Sequence, residues 1–165
     1  MAIPPNRIVV VGCGDPFASD AAAGLEVAAM LRRTPGHSCE VRELDLCTPS
    51  FISELAPEAI LAFAQGVISN SPPGSVHVVR LGKDGLPEPS ATANLRVWDE
   101  ISNLLKLASR LSKVYLIGIE MERTDAGIGI SSSVHAGVVE VVKELAGINE
   151  KGQPKLPFLQ KPKSS

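Results

Sequence analysis

An uninterrupted apolar run at residues 8–11 (Ile, Val, Val, Val) ends at Gly12. Four β-branched side chains in succession suit a strand covered on both faces, so residues 7–12 are predicted as a central strand. The period then lengthens. Leu25, Ala28 and Ala29 fall on one face of a helix, and Ser19 or Asp20 stands where its cap belongs. Arg32 and Arg33 close that helix where its dipole favours cations. Residues 39–46 set Val41, Leu44 and Leu46 among charges and read as a second strand; 48–55 read as a short helix stopped by Pro57. Residues 59–64 are a third apolar run, short enough for a strand. Residues 70–74 (Asn, Ser, Pro, Pro, Gly) are a turn by composition, and 75–81 a β-branched strand.

Further on, Ile101, Leu104, Leu105, Ala108 and Leu111 give one apolar stripe on a helix of about four turns. Residues 113–119 are the last strand. Residues 131–133, all serine, can cap a final helix that turns Val134, Val138, Val141, Val142 and Leu145 inward and stops at Gly147. The order β-α-β-α-β-β-α-β-α predicts an α/β fold. Parallel neighbours need crossovers, so the arrangement is a three-layer α/β/α sandwich around a mostly parallel, twisted, five-stranded sheet. The tight link at 70–74 supplies one antiparallel strand. Residues 1–147 are expected to form a single α/β domain, and 148–165 a polar C-terminal tail.

At 165 residues, with 44% hydrophobic and 21% charged, the chain is long enough to bury its own core. A net charge of −2 argues against a nucleic-acid partner. No apolar stretch reaches the ~18 residues of a membrane span, and the first residues lack a secretion signal. The three cysteines, Cys13, Cys39 and Cys47, form no C-x-x-C pair, which fits reduced thiols rather than a zinc site. A cytoplasmic protein is expected.

Gly12-Cys13-Gly14 follows the first strand, where open α/β sheets collect ligands. A dinucleotide site would want a third glycine, and Phe17 stands there instead. No Gly-Lys-Ser/Thr follows, and Asp15 and Asp20 would repel an anion from the helix start. Nucleotide binding is disfavoured.

The full pattern over residues 12–24, G-x-G-x-x-x-x-x-D-x-x-x-G, resembles the opening of the hydrogenase maturation protease family. The likeness spans residues 7–146. It takes in Asp45 within 41–48, Pro73-Gly74 before a β-branched strand, Gly118, and Gly127-x-Gly129-Ile130-Ser131 ahead of the last helix. The resemblance implies the same α/β/α fold and an endopeptidase that removes the C-terminal extension of the large-subunit precursor of nickel-iron hydrogenases. It also implies that nickel is carried by that precursor as a recognition handle, so no bound cofactor is expected.

The family's metal contacts are two acidic residues and a histidine, a set that suits a divalent nickel ion. The resemblance places the first on Ala21, directly after Asp20. It places the second on Ala64, with Gln65 beside it, and the third on Ala93, with Asn94 beside it. An alanine methyl cannot bind a metal. The family site is therefore expected to be lost, and no catalytic residue is assigned.

Other groups are candidates for the same edge. Asp15 reads as a turn residue, Asp20 as a helix cap, and Cys13 as a small buried hydrophobe. His37, His77 and His135 read as structural or solvent-facing. Cys47, past the second strand, and Glu120 and Glu122, past the last, lie at the carboxyl edge of the sheet. Three readings follow: a maturation protease, a non-catalytic relative that holds a hydrogenase precursor or another protein, and a hydrolase rebuilt around Asp20, Cys47 and Glu120.

Overall fold

The computed structural model describes residues 8–37, 39–44, 59–81, 113–123 and 125–147. Five strands make one sheet: β1 (Ile8–Cys13), β2 (Glu40–Leu44), β3 (Ile60–Val67), β4 (Val76–Leu81) and β5 (Lys113–Glu120), in the order β2-β1-β3-β5-β4. All pairings are parallel except β4 with β5. Helices α1 (Ala23–Arg33) and α2 (Ser132–Ala146) pack on one face of the sheet. This is the expected α/β architecture, with its single antiparallel strand. The helices read at 48–55 and 101–111 lie outside the described residues, as do Asp45, Cys47, Ala93 and Asn94.

Alternation along the strands builds two apolar layers. Toward the helices point Val10, Ala62 and Ile117, meeting Val27 and Leu31 of α1 and Val138 and Val141 of α2. Toward the other face point Val9, Val11, Leu61, Phe63 and Leu116, each no more than 2% exposed. A sheet dry on both faces is what the unbroken run at 8–11 demanded. No described helix is long and apolar enough to cross a membrane.

Two differences from the sequence reading, and one placement it left open, bear on the site. β3 does not stop at Ala64: Gln65, Gly66 and Val67 continue the ladder against Gly118, Ile119 and Glu120 of β5. The tight link after β3 carries the antiparallel strand β4 to the far side of β5. It steps across the end of β5, held by Gly74 N–H to the Glu120 carbonyl and Glu120 N–H to the Ser75 carbonyl (2.9 and 2.8 Å). Finally, the first helix opens as a 3-10 turn, Ser19–Ala22, and neither Ser19 nor Asp20 caps it with a side chain.

Glycine explains how α1 sits. A Cβ on Gly24 would lie 1.9 Å from the Ala64 carbonyl oxygen and 2.3 Å from that of Cys13. The helix backbone therefore lies directly on β1 and β3, a contact no other residue admits.

Candidate functional site

Two loops meet at the carboxyl edge of β1 and β3. One runs from Gly14 to the 3-10 turn, and the other from Met121 to Ser131. Phe17 O accepts Gly127 N–H (2.9 Å), and Gly127 O accepts Ser19 N–H (3.0 Å). Ser19 adopts a positive φ of 51°, a conformation costly for a residue with a side chain. Its hydroxyl donates to the Asp125 carbonyl (2.8 Å), which helps hold it there.

Asp20 locks the two loops together. Its side chain is fully buried. Oδ2 accepts Glu122 N–H (2.9 Å), Arg123 N–H (2.6 Å) and the Ser131 hydroxyl (2.8 Å), while Oδ1 accepts Ser131 N–H (2.7 Å). Burial pushes this carboxyl up, but the Ser131 and Arg123 N–H bonds, with the Ser131 hydroxyl and Glu122 N–H, outweigh it and hold it below its ordinary value. The expected cap of α1 is thus a tie to the start of α2. Ser131 and Glu122 face it from residues far along the chain, so no local motif announces it.

Ala21 follows, half-buried, its carbonyl accepting Asp15 N–H (3.2 Å). Ala64 is fully buried on the helix-facing side, in the main core. These two positions do come to one corner. Gly24 abuts the Ala64 carbonyl, and a Cβ on Gly66 would lie 2.9 Å from the Asp20 carbonyl, so residues 20–24 straddle residues 64–66. Gln65 points to the opposite face and is 1% exposed, with neither Oε1 nor Nε2 hydrogen-bonded. Asp15 is exposed and closes its own turn by accepting Phe17 N–H (2.9 Å), as the turn reading expects. Cys13 is buried, its thiol 3.8 Å from the Val11 carbonyl. Glu122 is exposed and accepts the Ser133 hydroxyl (3.1 Å).

On the face that carries Gln65, Glu120 builds a second cluster that sequence reasoning did not foresee. Its Oε2 accepts Ser69 N–H (2.8 Å), and its Oε1 accepts the Ser69 hydroxyl. His77 Nε2 lies 3.2 Å from both Glu120 Oε1 and Ser69 Oγ. Burial raises the Glu120 carboxyl, but the bonds from Ser69 and then His77 outweigh it and leave it below its ordinary value. A serine, a histidine and an acid invite comparison with a nucleophilic triad. In such a triad the acid holds one ring nitrogen while the other takes the serine proton. Here both groups crowd Nε2, and Ser69 already donates to Glu120. The cluster pins the β3–β4 link. His37 is likewise local, its Nδ1 accepting Cys39 N–H (3.2 Å), and His135 is exposed on α2.

A nickel ion wants several charged or imidazole donors on one point. Among the described residues no group of three His, Cys, Asp or Glu is so placed. Asp20 and Glu120, two anions of this edge, spend both oxygens on protein donors.

No protein-family model matches the chain, and no curated protein does. Solved structures do. The nickel-iron hydrogenase maturation protease HybD from Thermococcus kodakarensis aligns with a TM-score of 0.61 at 21% identity, over 83% of this chain and 95% of that one. Endopeptidase HycI from Escherichia coli aligns at 0.69 and 14% identity, over 94% and 99%. The hydrogenase maturating endopeptidase HybD from Escherichia coli aligns at 0.63 and 23% identity, over 90% and 98%. The chain has the fold of the hydrogenase maturation proteases, in agreement with the resemblance in its sequence.

Proposed function

We propose that this protein engages the large-subunit precursor of a nickel-iron hydrogenase at the carboxyl edge of its sheet, and that it holds the precursor with cleavage slow or absent. The observation that carries the reading is the contrast around Asp20. Among the described residues the scaffold is intact: Gly24 seats α1, and Asp20 ties both loops with four hydrogen bonds. The position next to it, Ala21, offers only a methyl. Ancestry supports the partner, and chemistry supports weakened catalysis.

Docking then falls to apolar contacts. Phe17 (68% exposed) and Ile128 (88% exposed) are the large apolar side chains left in solvent among the described residues. They stand on the two loops joined at Ala18 and Gly127. In this reading nickel arrives on the precursor and is not held by the protein.

A hydrolase rebuilt on Asp20 and Glu120 has less in its favour. Their oxygens are committed, and Glu120 lies on the sheet face away from α1 and α2. Cys47 lies outside the described residues.

The test compares the protein with a variant that restores charge at the edge. A carboxylate at Ala64 would be buried in the apolar core, which is severely destabilising. Gln65, 1% exposed, is no better a place for a charge, so the restoring set is Ala21→Glu with Ala93→His. Calorimetry should show nickel binding ~1000-fold weaker in the unsubstituted protein, the scale of several kcal/mol of lost coordination. Cleavage of nickel-loaded precursor should be slow or absent without the restoring substitutions. Equal nickel affinity and equal cleavage by both proteins would refute the reading.

A further inference from the structure

Gln65 is the group that the fold leaves unexplained. It is 1% exposed and both ends of its carboxamide lack a hydrogen-bond partner, a state that proteins avoid because desolvation of the donor and acceptor goes uncompensated. Among the described residues the surroundings offer no internal remedy. In register beside it, Gly118 contributes no side chain. Beyond Gly118 stands His77, and one step toward the edge stands Glu120, but these two are bonded to one another and to Ser69. The apolar alternative was available, since Leu61 and Phe63 precede it on the same face of β3. A leucine there would need no partner.

We propose that Gln65 is a ligand-binding residue whose carboxamide takes a main-chain amide of an extended polypeptide segment at the carboxyl ends of β3 and β5. The chemistry selects the class. A carboxamide presents one acceptor and two donors in a plane, and a peptide group matches it with one donor and one acceptor. Gln65 is neutral and no free charge faces it from β5 or β4, so a neutral partner group fits better than an anion or a metal ion. This rests on the reading above, in which the segment belongs to the precursor, and it deepens it: recognition at this point is of backbone and independent of nickel.

The experiment titrates a synthetic peptide with the sequence of the precursor's C-terminal segment, without nickel, against the unsubstituted protein, Gln65→Leu and Gln65→Asn. Full-length nickel-free precursor is titrated in parallel. Gln65→Leu should melt no lower than the unsubstituted protein, because it removes an unpartnered buried group. It should bind peptide ~10- to 100-fold more weakly, the loss of two hydrogen bonds. Gln65→Asn, which keeps the amide on a shorter stem, should fall between. The side-chain NH2 resonances of Gln65, identified by their loss in Gln65→Leu, should shift on peptide addition.

If the unsubstituted protein binds and Gln65→Leu binds within twofold of it, with the NH2 resonances unmoved, the proposal is overturned. Gln65 is then a core amide satisfied by water. If neither peptide nor precursor binds the unsubstituted protein, the functional reading falls and this inference falls with it.

Discussion

Replacing Asp20 by asparagine keeps the shape of the side chain and removes its charge and one acceptor oxygen. Four donors converge on the native carboxylate, three of them on Oδ2. Asparagine serves them best by keeping its oxygen at the Oδ2 position. Its NH2 group then faces Ser131 N–H, which lies 2.7 Å from Oδ1, and two donors oppose one another. The cost has two parts: the weaker bonds to a neutral acceptor, and a partly buried N–H with no partner. Hydrogen bonds to charged groups contribute about 1.5–3 kcal/mol and an orphaned buried donor costs about 1–3 kcal/mol. These terms overlap, so we expect a loss of about 2–3 kcal/mol, a large share of the ~5–15 kcal/mol that holds a domain together.

Urea denaturation measures the loss, and hydrogen exchange locates it. The amides of Glu122, Arg123 and Ser131 should exchange faster, while those of β3 should not. A helix cap would behave differently: about 1 kcal/mol, felt at the start of α1, with residues 121–131 untouched. The pH dependence gives a second signature. Because the folded carboxyl is held below its unfolded value, its stabilisation is complete above that unfolded value. It is lost as pH falls through the lower folded value, and Asp20→Asn should abolish that part of the acid sensitivity. A cost under ~0.5 kcal/mol with the three amides still protected would refute the argument.

Gly24→Ala should destabilise by about 2–4 kcal/mol, because the new methyl meets backbone oxygens at 1.9 and 2.3 Å and α1 must lift from the sheet; an unchanged melting temperature would contradict this. Glu120→Gln should cost about 1–2 kcal/mol and loosen the β3–β4 link, since one of the two oxygens that receive Ser69 is lost. The native carboxyl is held low, so its contribution is present above the unfolded value and disappears toward acid; thermal melts of both proteins down a pH series should converge there. Glu144→Gln should have the opposite sign. Burial first, then the neighbouring Glu140, push the Glu144 carboxyl up, so stability falls as pH rises from its unfolded value through its raised folded value. The glutamine should melt higher at neutral pH, with the gain vanishing in acid; a lower melting temperature at neutral pH would refute it.

What could be read from the sequence was whatever depends on neighbours along the chain. The strand at 8–11, the inward stripe of α2 and the turn at 70–74 are local patterns, and the structure has them where the patterns put them. The site depends on register and on partners far away. Asp20 reads as a cap because serine and aspartate often are caps; its real donors lie 102 to 111 residues on. His77 and Glu120 are 43 residues apart, and only the antiparallel pairing of β4 with β5 brings them together. The apolar run ends at Ala64, so Gln65 falls outside the strand read from the sequence. It is instead an interior position of β3, in register with Gly118 of β5 and 1% exposed.

The recognisable pattern around Asp20 is also a composite of independent duties. Gly24 is required by the contact of α1 with Ala64 and Cys13. Asp20 is required by three backbone N–H groups and one hydroxyl from the opposite loop. Neither demand passes through residue 21, whose backbone alone is engaged, by Asp15 and Ala18. An alanine there leaves the aspartate, the glycine and the fold they specify undisturbed. Selection for folding therefore preserves the spacing that marks the family whether or not residue 21 carries a carboxylate. The scaffold speaks for the fold, and under the proposed function the chemistry at this edge rests on residues 21 and 65.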